Sequence, residues 1–163
     1  MAKRIDPSQL PEIVGTLYPP PFDKPCRARA RKKLGDAANL TQFGINLLRL
    51  PPGVWSSQRH WHQEQDEFVY VISGEVVLVT DAGEETLKAG ECAGFKAGDR
   101  DGHHLQNRAA ADALVLEIGT RTKSEYSEYS DIDMAADMRS GVMYQHKDGT
   151  PYTNLKRRGP EDS

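Results

Sequence analysis

Cysteine is scarce in this chain: only Cys26 and Cys92 occur in 163 residues, and they form no paired motif. A disulfide framework is therefore excluded as the source of stability, and two free thiols are expected. Cys92, next to Ala93 in an apolar stretch, is expected to be buried as a small apolar residue. Long hydrophobic runs are missing as well, since the longest aliphatic or aromatic stretches are four or five residues. A helical membrane span needs about 20. Positive charge is not in excess either: the net charge is -3 and the isoelectric point about 6.0. No global field exists to hold nucleic acid or an anionic membrane, so a small-molecule partner is expected. The basic residues Lys3 and Arg4 are followed by no apolar stretch, which reads as a cytoplasmic protein without a secretory signal. Sustained helical periodicity is absent, and only Asp131 to Met138 offers a helical turn or two.

Turn formers and short β-type runs are abundant. Segments rich in Val, Ile, Leu, Phe and Tyr fall at 41–50, 54–62, 67–73, 75–80, 84–88, 91–95, 103–107 and 112–119. Between them lie turn markers such as Pro51-Pro52-Gly53, Ser73-Gly74-Glu75, Asp81-Ala82-Gly83 and Ala97-Gly98-Asp99. Eight short strands joined by tight turns predict an all-β antiparallel sandwich or barrel over residues 41–146. Residues 1–40, with Pro19-Pro20-Pro21 and the basic segment Arg27 to Lys33, read as an irregular N-terminal arm. Residues 147–163 read as a C-terminal tail whose last ten residues are expected to be mobile. Phe68 to Ile72 and Val76 to Val79 are apolar on both faces, so something must cover the outer one. The arm or a second copy of the chain would do so, and a homodimer is expected.

The most informative stretch is His60-Trp61-His62, followed by Glu67 and Gly74. Side chains two apart on a strand share a face, so the two imidazoles point at one target. Glu67 is an odd number of positions beyond His62, so a turn at Gln63 to Asp66 must separate them. Glu67 then opens a new strand, while Glu64 and Asp66 stay in the turn as solvated carboxylates. Farther on, His103 and His104 compete as a further ligand: an inward His103 takes Leu105 and Asn107 with it, and the opposite parity selects His104. Three imidazoles and one carboxylate leave two positions of an octahedron open, which suits one divalent ion among Fe, Mn, Ni and Co, with Zn or Cu also compatible. Gln58 shares the parity of His60, and Asn107 that of His103, so both are candidates to line the pocket or support the ligands. Arg59 has the wrong parity for the pocket, whereas Arg100 is placed to reach its mouth, and Glu64, Asp99 and Asp101 are conceivable bases. His146 reads as an ordinary strand histidine. Arg27, Arg29 and Arg31 would share one face of an extended segment, either as a nucleic-acid or phosphate patch or as a solvated edge.

These residues resemble the cupins. Their first motif combines a Gly, His-x-His, a Glu and a later Gly, matched by Gly53, His60, His62, Glu67 and Gly74, with Gly53 one residue farther out than usual. The second is represented by Gly90, Gly98, His103 and Asn107. Here Lys96 stands where Pro is usual, and four residues separate Gly98 from the histidine instead of two. Stretches such as Arg59-His-Trp-His and Gly102-His-His-Leu are similar to small bacterial cupins, some of them labelled sugar-phosphate isomerases. The resemblance covers residues 41–119 and implies a double-stranded β-helix, a jelly-roll barrel with a metal in its mouth held by His60, His62, Glu67 and His103.

Three uses of such a centre follow. As an enzyme on a small oxygen-rich metabolite, it would polarise an oxygen and stabilise an enediolate, as a sugar-phosphate isomerase requires. A cupin dioxygenase would use the open positions for dioxygen and a chelating substrate. A non-catalytic sensor would hold a small acid or sugar without turnover.

Overall fold

Two short strands, β1 (Ile13–Val14) and β2 (Ala30–Lys33), and one helical turn, α1 (Leu34–Ala37), precede the barrel proper in a computed structural model that describes residues 2–162. The expected runs then become β3 (Phe43–Leu50), β4 (His60–His62), β5 (Glu67–Ser73), β6 (Glu75–Thr80), β7 (Gly83–Lys88), β8 (Cys92–Phe95), β9 (His104–Gln106) and β10 (Ala113–Thr120). Three further strands follow: β11 (Tyr126–Tyr129), β12 (Ala135–Asp137) and β13 (Val142–Gln145). The helical turn expected at Asp131 to Met138 is instead mostly bend and strand, because Ala135 to Asp137 pair with β11.

The strands form a six-stranded sheet ordered β1-β2-β3-β10-β5-β8, a four-stranded sheet β13-β12-β11-β4, and a three-stranded sheet β7-β6-β9. Antiparallel bridges between His60 and His103 and between Trp55 and Gln106 join the two smaller sheets edge to edge. Leu48, Leu50, Val69, Val71, Val115 and Ala113 from the large sheet pack on Val76, Leu78, Leu87 and Leu105 from the facing wall. This closed antiparallel β architecture is the double-stranded β-helix expected from the motifs. Leu48, Leu50, Val71, Val76 and Val115 are fully buried, each contributing roughly 1.5–3 kcal/mol by leaving water.

Residues 2–40 are largely irregular, with two 3-10 turns, β1, β2 and α1; β2 adds to the edge of β3, pairing Arg31 with Leu48 and Lys33 with Asn46. The rest of the arm builds a second core in which Tyr18 and Cys26 meet Tyr129 and Met134. The tail is tied to it. Thr16 and Arg158 exchange backbone hydrogen bonds of 2.9 and 2.8 Å, and the Arg158 side chain lies buried against the arm, although the sequence reads as loose there.

The arm does not cover the outer face of β5, where Phe68, Tyr70 and Ile72 remain exposed. Cys92 is exposed too, contrary to the expectation from its neighbours, because it pairs with the outward-facing Tyr70 while Ala93 pairs with the inward Val69. Cys26 is the buried thiol, and burial pushes its pKa up to about 11.

Candidate metal centre

Alternation on β4 puts His60 and His62 on one face, with Trp61 buried on the other. The bridge between His60 and His103 is direct, so their side chains emerge on the same side, with ring centroids 5.0 Å apart. Glu67 begins β5 in the opposite sheet after the expected turn, and its Oε2 is the meeting point. His103 Nε2 lies 2.9 Å from that oxygen, His62 Nε2 3.4 Å and His60 Nε2 3.8 Å. Ligand atoms of His60, His62 and Glu67 lie within 4.8 Å of one another. Phe95 stacks on the His103 ring at 3.5 Å and fixes its plane.

The donor chemistry fits a cation. His60 Nδ1–H donates to the Gln58 carbonyl at 2.9 Å, which leaves Nε2 as the lone-pair nitrogen aimed at Glu67. Nδ1 of His103 is buried without a hydrogen-bond partner, and the two ring nitrogens of His62 make no well-aligned hydrogen bond although the Glu125 and Glu67 carboxylates stand 3.3 and 3.4 Å from them, a costly state unless something else engages them. Burial, reinforced by the neighbouring His62, drives the His60 pKa down to about 3, so this ring is neutral and ready to ligate. Burial also opposes a charge on His62, but the carboxylates of Glu125 and Glu67 outweigh it and raise that pKa to about 9. Glu67, despite burial, is held well below its usual range by His103 and His62.

Glu125 escaped the sequence reading. Its carboxylate is buried, accepts the backbone N–H groups of Gln63 and Glu64 at 2.9 and 3.1 Å, and stands 3.3 Å from His62 Nδ1. That is the carboxylate–histidine arrangement that orients a metal-binding imidazole. No local pattern announces it, because Glu125 reaches the site through the pairing of β11 with β4.

His104 points away. Its Nδ1–H donates to the Ser57 carbonyl and its Nε2 accepts from Gln106, both at 2.9 Å, and burial lowers its pKa to about 4. Gln58 and Asn107 also turn to the backbone: Gln58 donates to Phe22 O, and Asn107 donates to Leu50 O and Ala111 O while accepting from Ala109 N–H. Other residues form the cavity walls, so both side chains lock loops behind the site instead of lining it. Arg59 lies outside as expected, paired with Asp81 and Asp131. Arg100 rests over the Trp61 ring, 5.3 Å from its centroid, and is not in the wall of the mouth. Glu64 accepts from Ser124. His146 binds Asp133 at 2.8 Å.

A cavity of about 390 Å³ opens beside the centre, and a second of about 260 Å³ reaches His62 and His103 from the side of Asp99 and Asp101. Into the first project Arg29 and Arg31, which gives the basic segment a destination, while Arg27 turns off to Asp23. Arg31 grips Glu117 with two donors at 2.7 and 2.8 Å. Among the described residues, Glu67 and Glu117 are the carboxylates in that cavity wall.

The Cupin domain family matches residues 46–119. A sugar phosphate isomerase of the cupin superfamily from Silicibacter pomeroyi is 45% identical, superposes with a TM-score of 0.86, and covers 93% of this chain and 98% of its own. A candidate sugar phosphate isomerase from Acidithiobacillus ferrooxidans is 29% identical over 67% of this chain and 69% of its own, with a TM-score of 0.64. The polyketide cyclase RemF of Streptomyces resistomycificus shares the fold at 20% identity, with a TM-score of 0.59 over 74% of this chain and 80% of its own. A search of curated proteins gave no match. With both motifs inside the matched segment and near full-length identity to a superfamily member, this chain belongs to the cupin superfamily.

Proposed function

We propose that the chain is a metal-dependent enzyme that isomerises a small sugar phosphate. The observation that carries this reading is the convergence of three imidazoles on Glu67 Oε2 at the edge of a cavity large enough for a metabolite. The 45% identity to a sugar phosphate isomerase supports it. His60, His62, Glu67 and His103 would hold one divalent transition ion, which when bound supplies Lewis acidity to a carbonyl or hydroxyl oxygen. Glu117 moves the proton: it faces the same cavity, and the two-pronged grip of Arg31 fixes its orientation. Phe95 and Val69 wall the site with apolar surface and restrict water.

The outer face supports a homodimer. Pairing of β10 with β3 and β5 lines up Ile45, Leu47, Leu116, Ile118, Phe68 and Tyr70 on one side of the sheet, with Ile72 beyond them. A monomer would leave this three-strand apolar surface in water, and a two-fold copy covers it with the same residues. Among the described residues no helix is long and apolar enough to cross a membrane, and the unpaired cysteines accord with a cytoplasmic location.

Aldose–ketose exchange measured over a panel of phosphorylated sugars, with the protein loaded in turn with Mn(II), Fe(II), Co(II), Ni(II) and Zn(II), tests the function. Metal-dependent exchange that disappears in Glu117→Gln while metal content is kept is the expected result. Oxygen uptake with Fe(II) and a chelating substrate, in place of exchange, would transfer the chain to the dioxygenases.

A further inference from the structure

We propose that the mouth holds an anionic substrate end against Lys33 and Arg121, across a glycine floor two strands wide from the metal ligands. This builds on the isomerase reading and assigns a place to the charged end of the substrate.

The register of the six-stranded sheet carries the inference. Across it, the row through Glu67 runs Phe95, Glu67, Gly119 and Gly44. Gly119 and Gly44 contribute no side chain to the inner face, so beside the carboxylate the wall of the cavity is bare backbone for two strands. Conformation does not call for glycine there, since neither residue has a positive φ. Space is what they leave. A Cβ on Gly119 would sit 3.6 Å from Glu67 Cγ and 3.8 Å from its Oε1, in ordinary contact, and it would begin to fill the floor next to the metal ligand.

At the far end stand cations. A Cβ on Gly44 would lie 3.4 Å from both Nε and Nη2 of Arg121, so the guanidinium closes the floor there. Arg121 donates from Nη1 to the Leu40 carbonyl and from Nη2 to Asp36, while among the described residues Nε has no hydrogen-bond partner. Lys33, the last residue of β2, faces the same cavity, with Asp36 3.6 Å from its Nζ. Asp36 is thus the local counter-ion for both, and an arriving anion shares the two cations with it.

Neighbouring strands are about 4.8 Å apart, so Glu67 and the Arg121 end are separated by about 10 Å. A chain of roughly six to eight bonds of about 1.5 Å bridges that span. The substrate class is therefore an open-chain polyhydroxy compound whose oxygens meet the metal end and whose phosphate or carboxylate meets Lys33 and Arg121.

Calorimetric titration of the metal-loaded full chain with ribose 5-phosphate, ribose, glucuronate and inorganic phosphate tests this. Ribose 5-phosphate or glucuronate is expected to bind at least about tenfold tighter than ribose, a difference of about 1.4 kcal/mol. Whichever anion is preferred identifies the source of the charge. Combining Lys33→Gln with Arg121→Gln should abolish that preference while metal content and the affinity for ribose stay unchanged. Gly119→Leu, whose Cβ is accommodated, should block the sugars by filling the floor yet still admit inorganic phosphate. Equal binding of ribose and both anions, or a preference that survives the double substitution, would overturn the proposal. An anion preference that vanishes in the double variant, in a protein that isomerises nothing in the panel, would retain this site and reject the isomerase reading.

Discussion

The two faces of the six-stranded sheet reverse the usual polarity of a soluble protein. Toward the mouth, the inner face carries Glu67, Glu117, Asn46 and two glycines, whereas the outer face of the same strands carries Phe68, Tyr70, Ile72, Leu116 and Ile118. Alternation sends successive side chains to opposite faces, so one stretch of β5 supplies both the proposed ligand Glu67 and an exposed apolar surface. Inside, polar groups are sustained by partners from other strands. Outside, Phe68, Tyr70 and Ile72 stand exposed, the surface on which the proposed dimer rests.

Removing the inner anchor is the strongest way to break this contrast. Glu67→Ala is expected to reduce metal affinity by about 100-fold or more, read by elemental analysis after dialysis, and to leave the association state intact. Glu125→Gln should cost about 10–100-fold by freeing the His62 ring, and unchanged metal affinity in this variant would show that Glu125 does not orient it. On the outer face, Tyr70→Lys combined with Ile72→Lys should convert a dimer into a species of 18.1 kDa in sedimentation experiments, with metal content preserved. A monomeric parent protein would reject the dimer.

Deeper in the barrel the inner face is apolar, and there Leu48→Ala should lower stability by about 2–5 kcal/mol in denaturant unfolding. Acid should act more mildly. His104 has a folded pKa of about 4, below the ordinary histidine value of 6.5, so the unfolded chain binds a proton that the folded chain refuses. The His104 contribution to the stability of the metal-free protein is then complete above about pH 6.5 and declines as the pH falls toward 4, with His60 contributing in the same direction and His62, whose pKa is raised, in the opposite one at higher pH. The full His104 contribution is about 3 kcal/mol, and a flat unfolding midpoint between pH 7 and 4.5 would contradict it. The smallest effect concerns the thiols: a brief exposure to alkylating reagent at pH 8 should label exposed Cys92 and spare Cys26.

Legibility in the sequence followed the range of the interactions. Strands β3 to β10 were readable because each is a short β-type run closed by turn formers, and the parity of His60, His62 and His103 needs only the two-residue period. The odd offset of Glu67 was informative for the same reason. Glu125 and Glu117 were hidden, since each reaches the site through pairing with a distant strand. Parity alone could not show that the Gln58 and Asn107 amides take backbone partners in loops that no periodicity describes. Alternating Arg27, Arg29 and Arg31 read either as a nucleic-acid or phosphate patch or as a solvated edge, and only the cavity distinguishes the inward Arg29 and Arg31 from Arg27, which turns to Asp23.

Strand β10 lies between β3 and β5, pairing with both, yet it is made long after either. Some 47 residues separate the end of β5 at Ser73 from the end of β10 at Thr120. With synthesis at about 5–20 residues per second, the growing chain carries two unfinished strand edges for roughly 2–9 s. Its most vulnerable moment is therefore set by translation order, and the finished barrel's stability offers no protection during it.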